Sequence, residues 1–126
     1  MNVSYMAVVL DSADSDALSA FYANMLGWER MKPDDEWIIV YNKESRNFPL
    51  ITFQQIENYE RPKWPAEHGK QQQMVHLDFH VDDVDEAVKH AISCGAVLSD
   101  IQLEDAWRVM LDPAGHPFCI LPVHSA

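Results

Sequence analysis

A chain of 126 residues with 48% hydrophobic residues suits one compact domain and is long enough to hold two small, similar halves. With 9 Lys+Arg against 20 Asp+Glu, the net charge of −11 repels phosphate backbones and anionic membrane surfaces. No basic run offsets that field and no apolar run approaches a membrane span, so nucleic acid and membrane are excluded as partners.

Residues 5–11 (YMAVVLD) are rich in β-favouring side chains and predict a strand. A helix follows over DSDALSAFYANMLG, capped by Asp14 and closed by Gly27, with Leu18, Phe21, Tyr22 and Met25 as its apolar stripe. Three short strands come next, over 28–31, 36–42 (EWIIVYN) and 50–56 (LITFQQI), separated by turn chemistry in PDD and KESRNFP. Residues 57–73 (ENYERPKWPAEHGKQQQ) are polar and carry two prolines, which reads as a linker.

The second half repeats the order. A strand over 74–82 precedes a helix over DDVDEAVKHAISCG, with Asp83 and Glu86 spaced as a capping box. Val84, Ala87, Val88, Ala91 and Ile92 form its apolar positions, and Gly95 ends it. Strands over 96–99, 107–112 (WRVMLD) and 118–123 (FCILPV) follow, the last after the turn DPAGHP. The expectation is an α+β chain of two βαβββ modules, 1–56 and 74–126, joined by the linker 57–73.

In the strand MVHLDFHVDD, His76, Asp78 and His80 fall at every second position and share one sheet face, with Leu77, Phe79 and Val81 on the other. Two imidazoles and a carboxylate can begin a metal site, or form a polar lining in which the aspartate orients or charges a histidine. Alternate residues lie about 6.7 Å apart, so one ion reaches two more easily than three, and His116 is the candidate third ligand. Cys119, between Phe118 and Ile120, reads as a buried structural thiol, with no base placed beside it by motif. Neither Cys94 nor Cys119 belongs to a CxxC pair, and two isolated thiols suit a reducing cytoplasm. Trp64 is a large aromatic on a polar linker and needs a cover, from the ligand site or from a second subunit. A homodimer is expected on that ground. His68, His90 and His124 read as surface residues.

VVLDSADSDALSAFYANMLGW, HLDFHVDDVDEAV and WRVMLDPAGHPFCILPV, in this order and with the linker's YERPKWP, resemble the vicinal oxygen chelate superfamily and its small glyoxalase-like domains. The resemblance covers essentially the whole chain. It implies two βαβββ modules whose sheets curve together into a cup (the glyoxalase/bleomycin resistance fold). In metal-dependent members it also implies two ligands from each module, one on the first strand and one, usually Glu, on the last. Carried over residue by residue, the first-strand positions are Ala7 and His76, and the second module's last-strand position is Cys119. The first module's counterpart lies within 51–54, where Gln54 is the one plausible ligand. With His76 the only well-matched ligand, no metal and no other cofactor are expected.

The expected function is binding of a small organic molecule, neutral or weakly polar, by His76, Asp78, His80, Gln54 and Trp107. Two alternatives stand beside it: a metal-dependent lyase or dioxygenase, and a regulatory domain that keeps the fold without a ligand.

Overall fold

A computed structural model of the chain describes residues 1–34, 36–45 and 49–123. His124 and part of the expected 43–49 turn lie outside the described residues. The chain divides into two compact units, Met1–Tyr59 and Glu60–Ala126. Among the described residues no helix is long and apolar enough to cross a membrane.

In the first unit β1 (Ala7–Ser12) leads into α1 (Ser15–Leu26), then β2 (Glu29–Met31), β3 (Trp37–Tyr41) and β4 (Leu50–Gln55). The second unit runs β5 (Leu77–Val81), α2 (Val84–Cys94), β6 (Val97–Leu98), β7 (Arg108–Leu111) and β8 (Pro117–Pro122). Each unit is a four-stranded mixed sheet, ordered β1-β4-β3-β2 and β5-β8-β7-β6. The first and last strands of each module pair in parallel, and the remaining pairs are antiparallel. This is the expected pair of βαβββ modules.

The repeat extends to the caps. Asp14 accepts the Ala17 N–H and Asp83 accepts the Glu86 N–H, both at 3.1 Å, which satisfies an orphan donor at each helix start. The Glu86 carboxylate lies 3.5 Å from Lys89. Each helix closes with the same 6→1 bond, Trp28 N–H to the Ala23 carbonyl and Ala96 N–H to that of Ala91. Gly27, at φ 69, supplies the left-handed residue that such an ending requires.

The first unit's core lies between α1 and one sheet face. Leu10, Ile38, Val40, Ile51 and Phe53 are buried there with Leu18, Phe21 and Tyr22 of the helix, and the Tyr22 ring meets Phe53 at 5.9 Å. The second unit repeats the plan with Phe118 and Ile120 in the places of Ile51 and Phe53, and Phe79 edge-on to Phe118 at 5.8 Å. Two expected details differ. The first strand of the second module begins at Leu77, leaving Met74 and Val75 exposed, so His76 stands just ahead of the strand. Ile92, expected on the apolar face of α2, is 48% exposed, and Ala91 carries the burial instead.

Candidate functional site

The polar group on the second sheet is set by strand register. β5 and β8 run in parallel with Asp78 opposite Cys119, so the carboxylate and the thiol share the face away from Phe79 and Phe118. His76 folds back onto the same face, its Nε2 3.2 Å from Asp78 Oδ1, with the two side chains 31% and 56% exposed. Donor atoms of His76, Asp78 and Cys119 all lie within 4.8 Å of one another. Burial pushes the Cys119 thiol up to about 12, helped by the negative charge of Asp78 and by the hydrogen bond the thiol donates to it. At neutral pH Cys119 is therefore a protonated thiol and a poor nucleophile. His80, exposed and opposite Leu121, stands outside this group.

Residues 60–73 are more than a connector. Lys63 N–H donates to the Gln71 carbonyl at 2.7 Å and the Lys63 carbonyl accepts from Gln73 at 3.3 Å, which closes the segment into a loop. Arg61 Nη1 anchors it to the Pro113 carbonyl at 2.9 Å. The loop lays Trp64 flat on His76, with ring centroids 4.6 Å apart and planes inclined by 25°. The cover expected for Trp64 is thus a histidine of its own unit, and that stack fixes the plane of the His76 ring.

His116, the candidate third ligand, sits in the turn after β7. There Asp112, 1% exposed, accepts the Ala114 and His116 N–H groups at 2.9 and 3.0 Å. The turn sets the register of β8 and so the position of Cys119. The residue brought to the His–Asp pair is Cys119. Trp107 is half-buried one residue before β7, its carbonyl accepting from Arg108 Nη1 at 2.9 Å.

In the first unit the face away from α1 carries Ala7, Val9, Asp11, Trp37, Ile39, Thr52 and Gln54, as the β1–β4 and β3–β4 registers require. One end of it is a largely apolar hollow of about 420 Å³ bounded by Met6, Ala7, Val9, Ile39 and Thr52. A second hollow, about 840 Å³ and polar, opens at the other end around Gln54, Gln55, Glu36, Glu57 and Asn58. Trp37 borders both. It is held by Asp34, whose Oδ1 accepts the N–H groups of Glu36 and Trp37 at 2.8 and 2.9 Å.

The family model described as glyoxalase-like domain matches residues 7–121. The chain belongs to this family. Among solved structures, it is similar to a glyoxalase/bleomycin resistance protein/dioxygenase family enzyme from Burkholderia phytofirmans PsJN, at 26% identity and TM-score 0.69, covering 93% of this chain and 96% of that one. It shares its fold with TnmS3, an antibiotic-binding protein from Streptomyces sp. CB03234 (14% identity, TM-score 0.59, 97% and 98% covered). The same holds for a lactoylglutathione lyase from Agrobacterium tumefaciens (18% identity, TM-score 0.60, 97% and 95% covered). No protein of curated function matches the chain.

For this glyoxalase-like chain the internal repeat locates the last-strand position that the sequence left within 51–54. An offset of 67 carries β4 onto β8, so the counterpart of Cys119 is Thr52, and the pair Val9–Thr52 corresponds to Asp78–Cys119. The four positions implied for a divalent ion are then Ala7, Thr52, His76 and Cys119. Ala7 has no donor, Thr52 is a buried hydroxyl, and Cys119 is a buried thiol in place of a carboxylate. The family's four-donor set does not fit these residues. The first unit instead presents alanine, valine and threonine where the second presents histidine, aspartate and cysteine.

Proposed function

We propose that this glyoxalase-like protein binds a small organic molecule without the four-donor metal site implied for metal-dependent relatives. One observation carries the reading. Where a metal ligand would stand in the first module, Ala7 and Thr52 floor an apolar hollow of about 420 Å³ walled by Val9, Ile39 and Trp37. That volume falls within the range of small-molecule sites, in which apolar walls supply affinity and a few polar groups orient the ligand. Gln54, at the polar end of the same face, is an orienting group. In the second unit His76 and Asp78 form a separate polar surface for a ligand, and His80 and Trp107 are further binding residues outside that group. The fold shared with an antibiotic-binding protein agrees with this role.

The decisive experiment is titration with Nile red, a neutral apolar dye. Saturable binding near one equivalent is expected, and Val9→Trp should abolish it by filling the hollow, since Val9 is 46% exposed and tolerates the bulk. Binding that never saturates, or that Val9→Trp leaves unchanged, contradicts the proposal.

A second reading, catalysis on a small organic substrate, is favoured by the His76–Asp78 pair, in which the carboxylate steadies an imidazole for proton transfer. Loss of a measured turnover on His76→Gln with binding retained would establish it. Homodimerisation and a cytoplasmic location complete the proposal. Their supports are the exposed Val97, Leu98, Ile101 and Leu103 and the two unbridged thiols, and light scattering tests the dimer.

A further inference from the structure

His76, Asp78 and Cys119 bring three different donor types to one point: a ring nitrogen, a carboxylate oxygen and a sulfur, within 4.8 Å of one another. Around a zinc-class ion, bonds of about 2.3 Å to sulfur and about 2.0–2.1 Å to nitrogen or oxygen place tetrahedral donors about 3.3–3.6 Å apart. His76 Nε2 and Asp78 Oδ1 already stand 3.2 Å apart, so drawing in the sulfur takes a side-chain movement of about 1 Å. The backbone fixes much of the rest. Asp78 and Cys119 face each other across the parallel pair, and the Trp64 stack holds the His76 ring. Asp78 is 56% exposed, which leaves an approach from solvent.

We infer that His76, Asp78 and Cys119 form a three-donor site for a borderline divalent cation of the zinc class, contained in the second unit alone. The fourth tetrahedral position is left for water or a ligand oxygen. Sulfur and imidazole together select zinc-like ions over magnesium, calcium or manganese, which prefer all-oxygen shells. Binding releases the Cys119 thiol proton to solvent, and the carboxylate and thiolate then balance the two positive charges of the ion. The site differs in kind from one that draws two donors from each module. It shares His76 and Asp78 with the binding residues proposed above but uses none of the residues around the apolar hollow of the first unit, so dye binding in that hollow and cation binding here are tested separately.

Cobalt(II) tests the site, because a thiolate bound to it gives a near-ultraviolet charge-transfer band that nitrogen and oxygen ligands do not. Titrated into the full, untagged chain, Co²⁺ is expected to develop this band to one equivalent, with Zn²⁺ bleaching it. Cys119→Ser should abolish the band, and His76→Gln should weaken binding by about tenfold or more. Cys94→Ser should leave it intact, which separates the site from the surface pair Cys94 and His90, whose Sγ and Nε2 lie 3.9 Å apart. Circular dichroism checks the fold of Cys119→Ser. Should that variant not fold, His76→Gln decides: a lost or shifted band supports the site and an unchanged one overturns it. No band in the natural chain, or one that Cys94→Ser removes, also overturns the inference.

Discussion

Truncating His76 should leave the fold almost as stable as before, whereas truncating Phe79, three residues along and on the other sheet face, should not. The His76–Asp78 pair is half exposed, and such pairs contribute about 0–1 kcal/mol after solvent screening. The Trp64 stack adds a comparable amount, but the freed indole keeps its contact with the loop, so His76→Ala should cost about 1 kcal/mol. Phe79 packs edge-on against Phe118, which is fully buried. Full burial makes Phe→Ala cost about 3–5 kcal/mol, and the partial exposure of Phe79 brings the expectation to about 3 kcal/mol. At roughly 4 °C per kcal/mol for a chain of this size, the thermal midpoints should fall by about 4 °C and about 12 °C. Thermal unfolding followed by circular dichroism, with urea titration as a second measure, resolves the difference. If His76→Ala proves as destabilising as Phe79→Ala, the polar group belongs to the core and its assignment as a binding surface fails.

Asp112→Ala strips two N–H groups of their acceptor in the β7–β8 turn and should cost about 2–4 kcal/mol in urea unfolding, while a loss under 1 would discount the turn's role. Gly115, at φ +86, holds a backbone conformation that a side chain strains, and an added Cβ would also press on the Arg61 guanidinium, 2.9 Å from Nε, which would have to shift. Gly115→Ala should lower stability by about 1–2 kcal/mol, and adding Arg61→Ala should recover only the steric part, since the backbone strain persists. For Cys119 the folded thiol titrates at about 12 against an ordinary 9.0, so the unfolded chain loses its proton first. Stability from this group is complete below about pH 9 and falls as pH rises from 9 toward 12, which urea unfolding of chelator-treated protein at about pH 8 and pH 10 should show. Iodoacetamide should leave Cys119 unmodified at neutral pH, and Asp78→Asn should speed its alkylation by removing the neighbouring charge.

The sequence told most where local chemistry decides. Asp14, Gly27, Asp83 and Gly95 punctuate both helices because caps are written in neighbouring residues, and the repeated order of elements followed from them. Strand ends were less legible. Met74 and Val75 have β-favouring neighbours but no paired strand, and on α2 the buried position is Ala91 while its neighbour Ile92 is exposed. At the candidate site, alternation placed His76 and Asp78 together, but nothing local announced Cys119. Its place beside Asp78 comes from a parallel pairing of residues 41 apart, and in the sequence only the family resemblance, which put Cys119 and His76 among the ligand positions, pointed to it. Thr52 is identified only by the structure, since the longer first-half turn hid the 67-residue offset that the β4 and β8 registers reveal.

The central claim is that the helix-free face of the first sheet is a small-molecule site, and methyl NMR of the chain titrated with Nile red examines it at the residues concerned. Shifts should concentrate on the methyls of Ala7, Val9, Ile39 and Thr52 and on the Trp37 indole, with Leu10, Leu18 and Ile51 on the helix side unmoved. Saturating shifts confined instead to exposed apolar residues such as Val97, Leu98 and Ile101, or no saturating shifts at any of these methyls, would contradict it.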